Sequence, residues 1–365
     1  MPVPFTKKLL FFFGILIIPL ANSYAFQSNF SGKIIDKDTK EPIAGANIYF
    51  SGTTIGDASD ADGSFLFEAP LQGRFNLIIS FIGYKKIVLP ILVKDKQNVY
   101  EEIEMEADIQ QMQEIQVTSK DDRRWRKAYR DFKEFFLGRD EFAYFCEIKN
   151  PYSLDFEWNS KENIYTASSS EPLIIENKAL GYQITVEIVD VFFNPRTNGG
   201  YYVILPRFEE IVSPDSLTMA VWNENRRKTY LGSSRHFFKS LVDGEMDNAG
   251  FSIVSGDSLI QPIEDQGLME LYYPNNWQFL TRNYTPFKID SRTFKVGYDV
   301  EFDRKGRAKN RGTLSTVDLR GISDVILVDR YGEIYNPEYI QFFGKWESDR
   351  FARHLPLEYG LALKD

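Results

Sequence analysis

Apolar and polar positions alternate along the first third of this chain with the period of a β-strand. Phe75, Leu77, Ile79 and Phe81 fall on one face, with Asn76, Ile78 and Ser80 opposite. Ala46, Ile48 and Phe50 alternate in the same way with Asn47, Tyr49 and Ser51, and Phe65 and Phe67 with Leu66 and Glu68. Phe30 to Ile35, residues 86 to 93 and residues 99 to 105 read as further strands, parted by the polar turn Asp36 to Gly45 and by Gly83. In the last strand Val99, Glu101, Ile103 and Met105 alternate with Tyr100, Glu102 and Glu104, a polar surplus that suits a sheet edge. Six or seven short strands within roughly 80 residues predict a small antiparallel sandwich.

Downstream the period changes. Trp125, Ala128, Tyr129, Phe132, Phe135 and Phe136 recur at helical spacing, with Asp122 to cap the start and Gly138 to end the helix. Its outer face is basic enough to lie on a membrane, but its acidic members favour packing onto a core. From residue 142 the pattern returns to strands: FAYFCEI, IYTASS, YQITVEIVDVFF and YYVILPRFEEI, the last two joined by a turn at Asn194 to Gly200. A second amphipathic helix is predicted after Gly232, capped by Ser233 or Ser234, packed through Phe237 and Leu241 and stopped at Gly244. Two late strands flank the turn Asp329 to Gly332, and a short helix at Glu347 to His354 ends before Pro356. The expected fold is mainly β: a sandwich at 26–106, a linker at 107–122 and a larger β-rich α+β domain at 123–365.

The amino terminus reads as an export signal. Lys7 and Lys8 precede the apolar run LLFFFGILIIPL, and Ser23-Tyr24-Ala25 fits the small-x-small cleavage rule. A signal peptide at 1–25 and a mature chain from Phe26 are expected, since the run is short for a membrane span. No later stretch reaches membrane length without charges. The mature chain is expected in the periplasm, associated with the outer membrane through a partner. Cys146 is the sole cysteine, so no internal disulfide forms, and its place in an aromatic strand predicts a buried, inert thiol. The net charge of -9 argues against a nucleic-acid binder.

GDASDADGSFLF, residues 56 to 67, has the look of a calcium loop. With Gly63 at the sixth position, Asp60 and Asp62 occupy the third and fifth, but Ala58 and Ala69 stand where the first and twelfth ligands belong. The stretch is therefore read as strand, turn, strand, with Asp62-Gly63 as the turn signal.

The segment SGKIIDKDTKEPIAGANIYFSGTTIGDASDADGSFLF, with LIISFIGYKK after it, resembles the carboxypeptidase-regulatory-like domain of exported Bacteroidetes proteins. Gly32, Asp36, Pro42 to Ala46, Gly52-Thr53, Asp60, Asp62-Gly63, Phe65 and Gly83-Tyr84 carry the likeness, and Ser59 departs from the usual threonine. The resemblance implies a transthyretin-like sandwich and no catalytic residues. MQEIQVTSK, residues 112 to 120, is similar to the segment joining this domain to the plug of TonB-dependent receptors. About 245 residues follow, too few for a plug and a many-stranded barrel, so a receptor is not expected. The second half, through FFLGRDEFAYFCEIKNPYSLDF, WNENRRKTYLGSSRHFFKSL and GKWESDRFARHLPLEYG, resembles the C-terminal region of exported Bacteroidetes proteins known only as carboxypeptidase-like regulatory domain-containing.

Catalytic signatures are sparse. His236 and His354 are the only histidines, with no H-x-x-E or H-E-x-x-H pairing, so no metallocarboxypeptidase zinc site, other metal site or cofactor is expected. There is no G-x-S-x-G elbow, and Ser233 and His236 on one helix do not form an attack geometry. Among many carboxylates Asp329 in VDRYG is the first glycosidase candidate, against a plain turn aspartate. The best binding candidate is Trp222, Arg226, Tyr230, Arg235 and His236, with Arg350 to complete it: guanidinium groups suit carboxylates and phosphates, and aromatic faces suit sugars. The competing reading is internal salt bridges between helix and sheet. The sequence thus favours a non-enzymatic envelope binding or assembly module whose partner is an envelope protein or glycan. A hydrolase of envelope glycans or peptides, and a lipid or polysaccharide carrier, are the alternatives.

Overall fold

A computed structural model describes residues 28–94, 96–108, 122–213, 215–254, 260–264, 284–299, 312–320, 324–335 and 340–362. The expected signal segment and nearly all of the expected linker lie outside the described residues. The first unit has seven strands: β1 (Ser28–Asp36), β2 (Asn47–Phe50), β3 (Gly56–Ala58), β4 (Ser64–Ala69), β5 (Gly73–Ser80), β6 (Ile87–Val93) and β7 (Asn98–Met105). They form two facing sheets, β4-β1-β7 and β3-β2-β5-β6. The polar last strand lies at an edge, as its pattern predicts. It pairs with β1 in parallel, Ile34 against Ile103, while the other pairs are antiparallel. Phe30, Phe50, Phe67 and Phe75 interlock between the sheets at ring separations of 5.0 to 5.7 Å.

The Asp57–Asp62 stretch is turn chemistry. Asp57 accepts the Leu66 N–H at 3.0 Å, and Asp62 accepts the Ser64 hydroxyl at 2.6 Å and its N–H at 3.1 Å. Gly63 takes the left-handed φ of 81°. The strands it joins belong to different sheets, so the turn carries the chain across the sandwich rather than closing a hairpin.

The second half opens with α1 (Arg123–Phe136), capped by Asp122 and buried through Ala128, Phe132, Phe135 and Phe136. Its helical stripe therefore faces a core. The FAYFCEI segment is only partly strand. Asp140 accepts the Phe142 and Ala143 N–H groups and caps a short helix, α2 (Glu141–Tyr144), leaving only β8 (Cys146–Ile148) as strand. A sheet of β8, β9 (Leu154–Asn159), β10 (Ile164–Ser169), β11 (Leu173–Asn177), β12 (Tyr182–Asn194) and β13 (Gly199–Glu210) packs against α1. Next come α3 (Ser216–Tyr230) and α4 (Ser234–Val242), then β14 (Phe251–Ile253), β15 (Ile260–Pro262), β16 (Thr285–Ile289), β17 (Thr293–Tyr298), β18 (Thr313–Leu319), β19 (Val325–Val328) and β20 (Ile340–Gly344). The strands around the Asp329 turn are not partners: β19 pairs β16, while β20 pairs β18. The expected helix at Glu347 to His354 is two 3-10 turns, Lys345–Ser348 and Phe351–Arg353.

Among the described residues the apolar interior is divided among three clusters. One fills the sandwich, one lies between α1 and the β12 sheet, and one gathers around Phe237, Phe294 and Trp346. Each fully buried Phe contributes about 1.5–3 kcal/mol. Rings meet rings throughout, as in Phe132–Phe136 at 5.1 Å and Phe136–Phe351 at 4.7 Å, so the aromatic residues fill the cores.

The sandwich is bonded to the second half by backbone as well as side chains. Gly52 N donates to Pro206 O at 2.7 Å, Phe208 N to Thr53 O at 3.0 Å and Leu357 N to Gly52 O at 2.8 Å. Thr54 N donates to Glu358 at 2.7 Å, and the Tyr331 hydroxyl donates to Gln72 O at 2.5 Å. Among the described residues no helix is long and apolar enough to cross a membrane.

Candidate functional site

Where the three clusters meet they leave a recess of about 550 Å³. The sandwich supplies Gly52, Arg74 and Asn76 to its wall, β13 supplies Pro206 and Phe208, and α3 supplies Thr229 and Tyr230. Arg235 of α4, the turn residues Asp329 and Glu333, and Asp349, Arg350, Arg353 and His354 close the remainder.

Local chemistry sets each side chain. Ser233 caps α4 by accepting the His236 N–H at 3.1 Å, which places Arg235 in the first turn. Its guanidinium donates to the Leu355 and Pro356 carbonyls at 2.8 and 3.0 Å, stands 5.5 Å from the Tyr230 ring and approaches Glu333 only to 3.9 Å. The Asp329 turn docks against this helix because Gly332 has φ 86° and no side chain: a Cβ there would lie 2.2 Å from Arg235 O. Asp329 Oδ1 accepts the Tyr331 and Glu333 N–H groups at 2.8 and 2.9 Å. Arg350 donates to Asn198 O at 3.1 Å and lies 5.4 Å from the Phe135 ring. Arg353 is held by Asp140, and Lys345 donates to Asp349 at 2.9 Å.

Burial dominates the electrostatics. It pushes Asp329 up to about 6, with the Glu333 charge adding to the effect. Glu333 and Asp349 are raised for the same first reason. The Glu333 side chain keeps 52% of its area accessible, yet its surface faces into a recess walled by protein, which still disfavours its charge. His354 is pushed down to about 4 by burial, then by Arg235, so it is neutral near pH 7, and its Nε2 is 3.2 Å from the Tyr202 hydroxyl. The buried Thr229 Oγ1 has no hydrogen-bond partner among the described residues.

Of the residues singled out by the sequence, Tyr230, Arg235 and Arg350 line this recess; Trp222, Arg226 and His236 do not. Arg226 donates to Leu180 O at 2.7 Å, Gly181 O at 3.3 Å and Glu210 at 3.0 Å, and stacks 4.0 Å from the Tyr182 ring. Trp222 packs over Gly181, whose absent Cβ would lie 2.3 Å from the indole, and donates to Lys178 O at 2.8 Å. His236 accepts the Gly232 N–H on Nδ1 at 3.2 Å, packs on Phe251 at 4.9 Å and is pushed down to about 4 by burial. Internal bonding accounts for all three. Cys146 is buried and pushed up to about 12 by desolvation. Among the described residues no group of three His, Cys, Asp or Glu side chains is placed to hold a metal ion.

Sequence reasoning missed Arg74, Thr229, Glu333 and Asp349. The four-residue step from Asp329 to Glu333 across a glycine turn was the one available signal. The sandwich's share of the wall had none, because it depends on how the two halves dock.

Residues 30–117 match the CarboxypepD_reg-like domain family, which confirms the resemblance drawn from the first third of the chain. A curated relative, the TonB-dependent receptor SusC of Bacteroides thetaiotaomicron, is 36% identical over 108 residues, 27% of this chain and 11% of the receptor. The chain thus spans about a tenth of the length of that relative. Among solved structures, a cohesin–X-dockerin complex of Acetivibrio cellulolyticus is 23% identical over 22% of this chain and 58% of the other, at TM-score 0.20. A DUF3823 family protein of Bacteroides ovatus is 12% identical over 51% of this chain and 82% of the other, at TM-score 0.16.

Proposed function

We propose that this protein is a non-enzymatic binding module of the cell envelope and that its ligand occupies the recess between the three cores. The observation that carries this reading is the recess itself. It gathers guanidinium, carboxyl and imidazole groups from segments far apart in sequence. A concave recess with converging polar groups is the ordinary form of a ligand site. The sequence match to part of an envelope receptor, with the apolar leader, supports export of residues 26–365 to the periplasm. In this reading residues 26–106 are a docking domain bonded to the larger 123–365 domain and 107–122 is the linker.

The experiment is a screen of the purified chain against immobilised envelope glycan fragments and cell-wall peptides. Retention of a defined subset is expected. No retention of any member, by a chain shown to be folded, refutes the reading.

A second reading, hydrolysis, has one observation in its favour. Asp329 and Glu333 are raised carboxyl groups on one recess wall, as a general acid requires. Against it, Asp329 Oδ1 is already occupied by two backbone donors. Release of reducing ends or peptides from a retained ligand, abolished by Asp329→Asn or Glu333→Gln, would establish hydrolysis instead.

A further inference from the structure

The basic outer face of α1 takes no part in the recess. The helix buries Ala128, Phe132 and Phe135 on one side. Exposed Arg123, Lys127 and Arg130 recur at i, i+4 and i+7 on the opposite side and point out from the fold, with exposed Arg124 beside them. Little in the fold answers these charges. Arg123 and Arg124 make no ion pair among the described residues. Lys127 and Arg130 share one carboxylate, Asp131, at 3.2 and 3.3 Å, and it is only 13% exposed beneath them. Asp122 is occupied as the cap, accepting the Trp125 N–H at 2.7 Å, and Glu134 pairs with Arg139. Helix stability does not account for the pattern. The first turn holds two arginines and no acidic residue, and cations there oppose the helix dipole.

We propose that this stripe of α1 docks on the anionic headgroups of a lipid bilayer. Charge complementarity carries the inference: the stripe is a basic face on a chain whose net charge is -9. Salt confines electrostatic reach to about 8–10 Å under physiological conditions, so the acidic remainder of the chain does not cancel a local basic face. The shape suits an extended surface. The stripe runs roughly 10 Å along a straight helix at 1.5 Å per residue, and its side chains project outward without converging on one point. With the export proposed above, a membrane leaflet is the extended anionic surface within reach. The apolar side of α1 is already used by the core, so the contact is electrostatic and superficial, without insertion. The inference rests on the export part of the proposed function and is independent of the recess.

The test is vesicle flotation of residues 26–365, without the apolar leader, so that the leader cannot itself enter the bilayer. The vesicles are phosphatidylcholine alone or with about a third phosphatidylglycerol, in about 50 mM and about 500 mM salt. Binding is expected to the anionic vesicles only, and to be lost in the higher salt. Arg123→Gln with Arg124→Gln, and Lys127→Gln with Arg130→Gln, are each expected to weaken it about tenfold, with thermal melts confirming the fold. Lys40→Gln with Lys85→Gln removes the same charge from exposed lysines of the sandwich and is expected to leave binding unchanged. No binding in low salt, equal binding to both vesicles, or an equal loss in the sandwich control overturns the proposal. So does retention on immobilised polyglutamate without vesicle binding, which makes the partner an acidic polypeptide. The envelope screen on the same preparation separates the two readings. Retained fragments without vesicle binding overturn the stripe and keep the recess; vesicle binding without retained fragments does the reverse.

Discussion

Arg226 and Arg350 are both arginines within the second half, both near an aromatic ring, and their surroundings differ. Arg226 is enclosed at 7% exposure: two backbone carbonyls, a carboxylate and the Tyr182 face use its donors and its charge. Arg350 donates to one backbone carbonyl and otherwise faces a recess. A basic-aromatic cluster in a sequence therefore names two populations. Those whose charge is matched inside the fold hold it together; those paired only with neutral carbonyls are, on the function proposed above, the ones that meet a ligand. The difference lies in the partners, which come from chain segments distant in sequence.

The comparison is sharpest under truncation. Arg226→Ala should destabilise the protein by about 3 kcal/mol, because it strands the Leu180 and Gly181 carbonyls and leaves Glu210 without its partner. Urea titration of wild type and variant measures this; a cost below about 1 kcal/mol would erase the distinction from Arg350. Gly332→Ala should cost about 2 kcal/mol, since its φ is 86° and the added methyl meets Arg235 O. It should also deform the recess, so weaker ligand retention than the stability loss explains is the expected signature. Arg350→Ala should cost no more than about 1 kcal/mol in the same titration, because the Asn198 carbonyl it leaves is part-exposed.

The smallest effect is electrostatic and has a definite sign. The folded chain holds the Asp329 proton more tightly than the unfolded chain, with a pKa near 6 against an ordinary 3.8. Its contribution to stability is complete below pH 4 and is lost as pH rises through 6. The histidines act oppositely. His236 and His354, pushed from 6.5 to about 4, contribute stability above pH 6.5 that is lost as pH falls towards 4. Asp329→Asn keeps an acceptor for the Tyr331 and Glu333 N–H groups and removes the charge. It should gain about 1 kcal/mol over wild type at pH 8 and nothing at pH 4. Thermal melts across that range check it, and a gain of the same size at both ends would show that burial is not the cause.

The legible parts of this fold were those with local causes. Asp122 and Gly138 bracket α1 as read, Ser233 caps α4, and the Asp62-Gly63 turn uses its own side chains. Where the cause was distant or two local signals competed, the reading slipped. FAYFCEI alternates like a strand, but the Asp140 cap turns its first half into a helix. α3 escaped notice because its apolar residues are not on one face: Leu217, Met219 and Val221 are exposed, while Arg226 and Thr229 are buried. The recess was half legible. Tyr230, Arg235 and Arg350 were singled out by type and spacing, but Arg74 and Asn76 join them only through docking of the sandwich.

The central claim, that ligand enters the three-way recess, has one direct measurement. Cys146 is buried and inert, so Asn76→Cys creates a single reactive thiol on the sandwich side of the wall. The variant, before and after coupling to a bulky maleimide, is applied to an array of neutral and acidic envelope glycan fragments. Retention before labelling and its loss after labelling, at an unchanged melting temperature, is the predicted result; retention undiminished by a filled recess would contradict it.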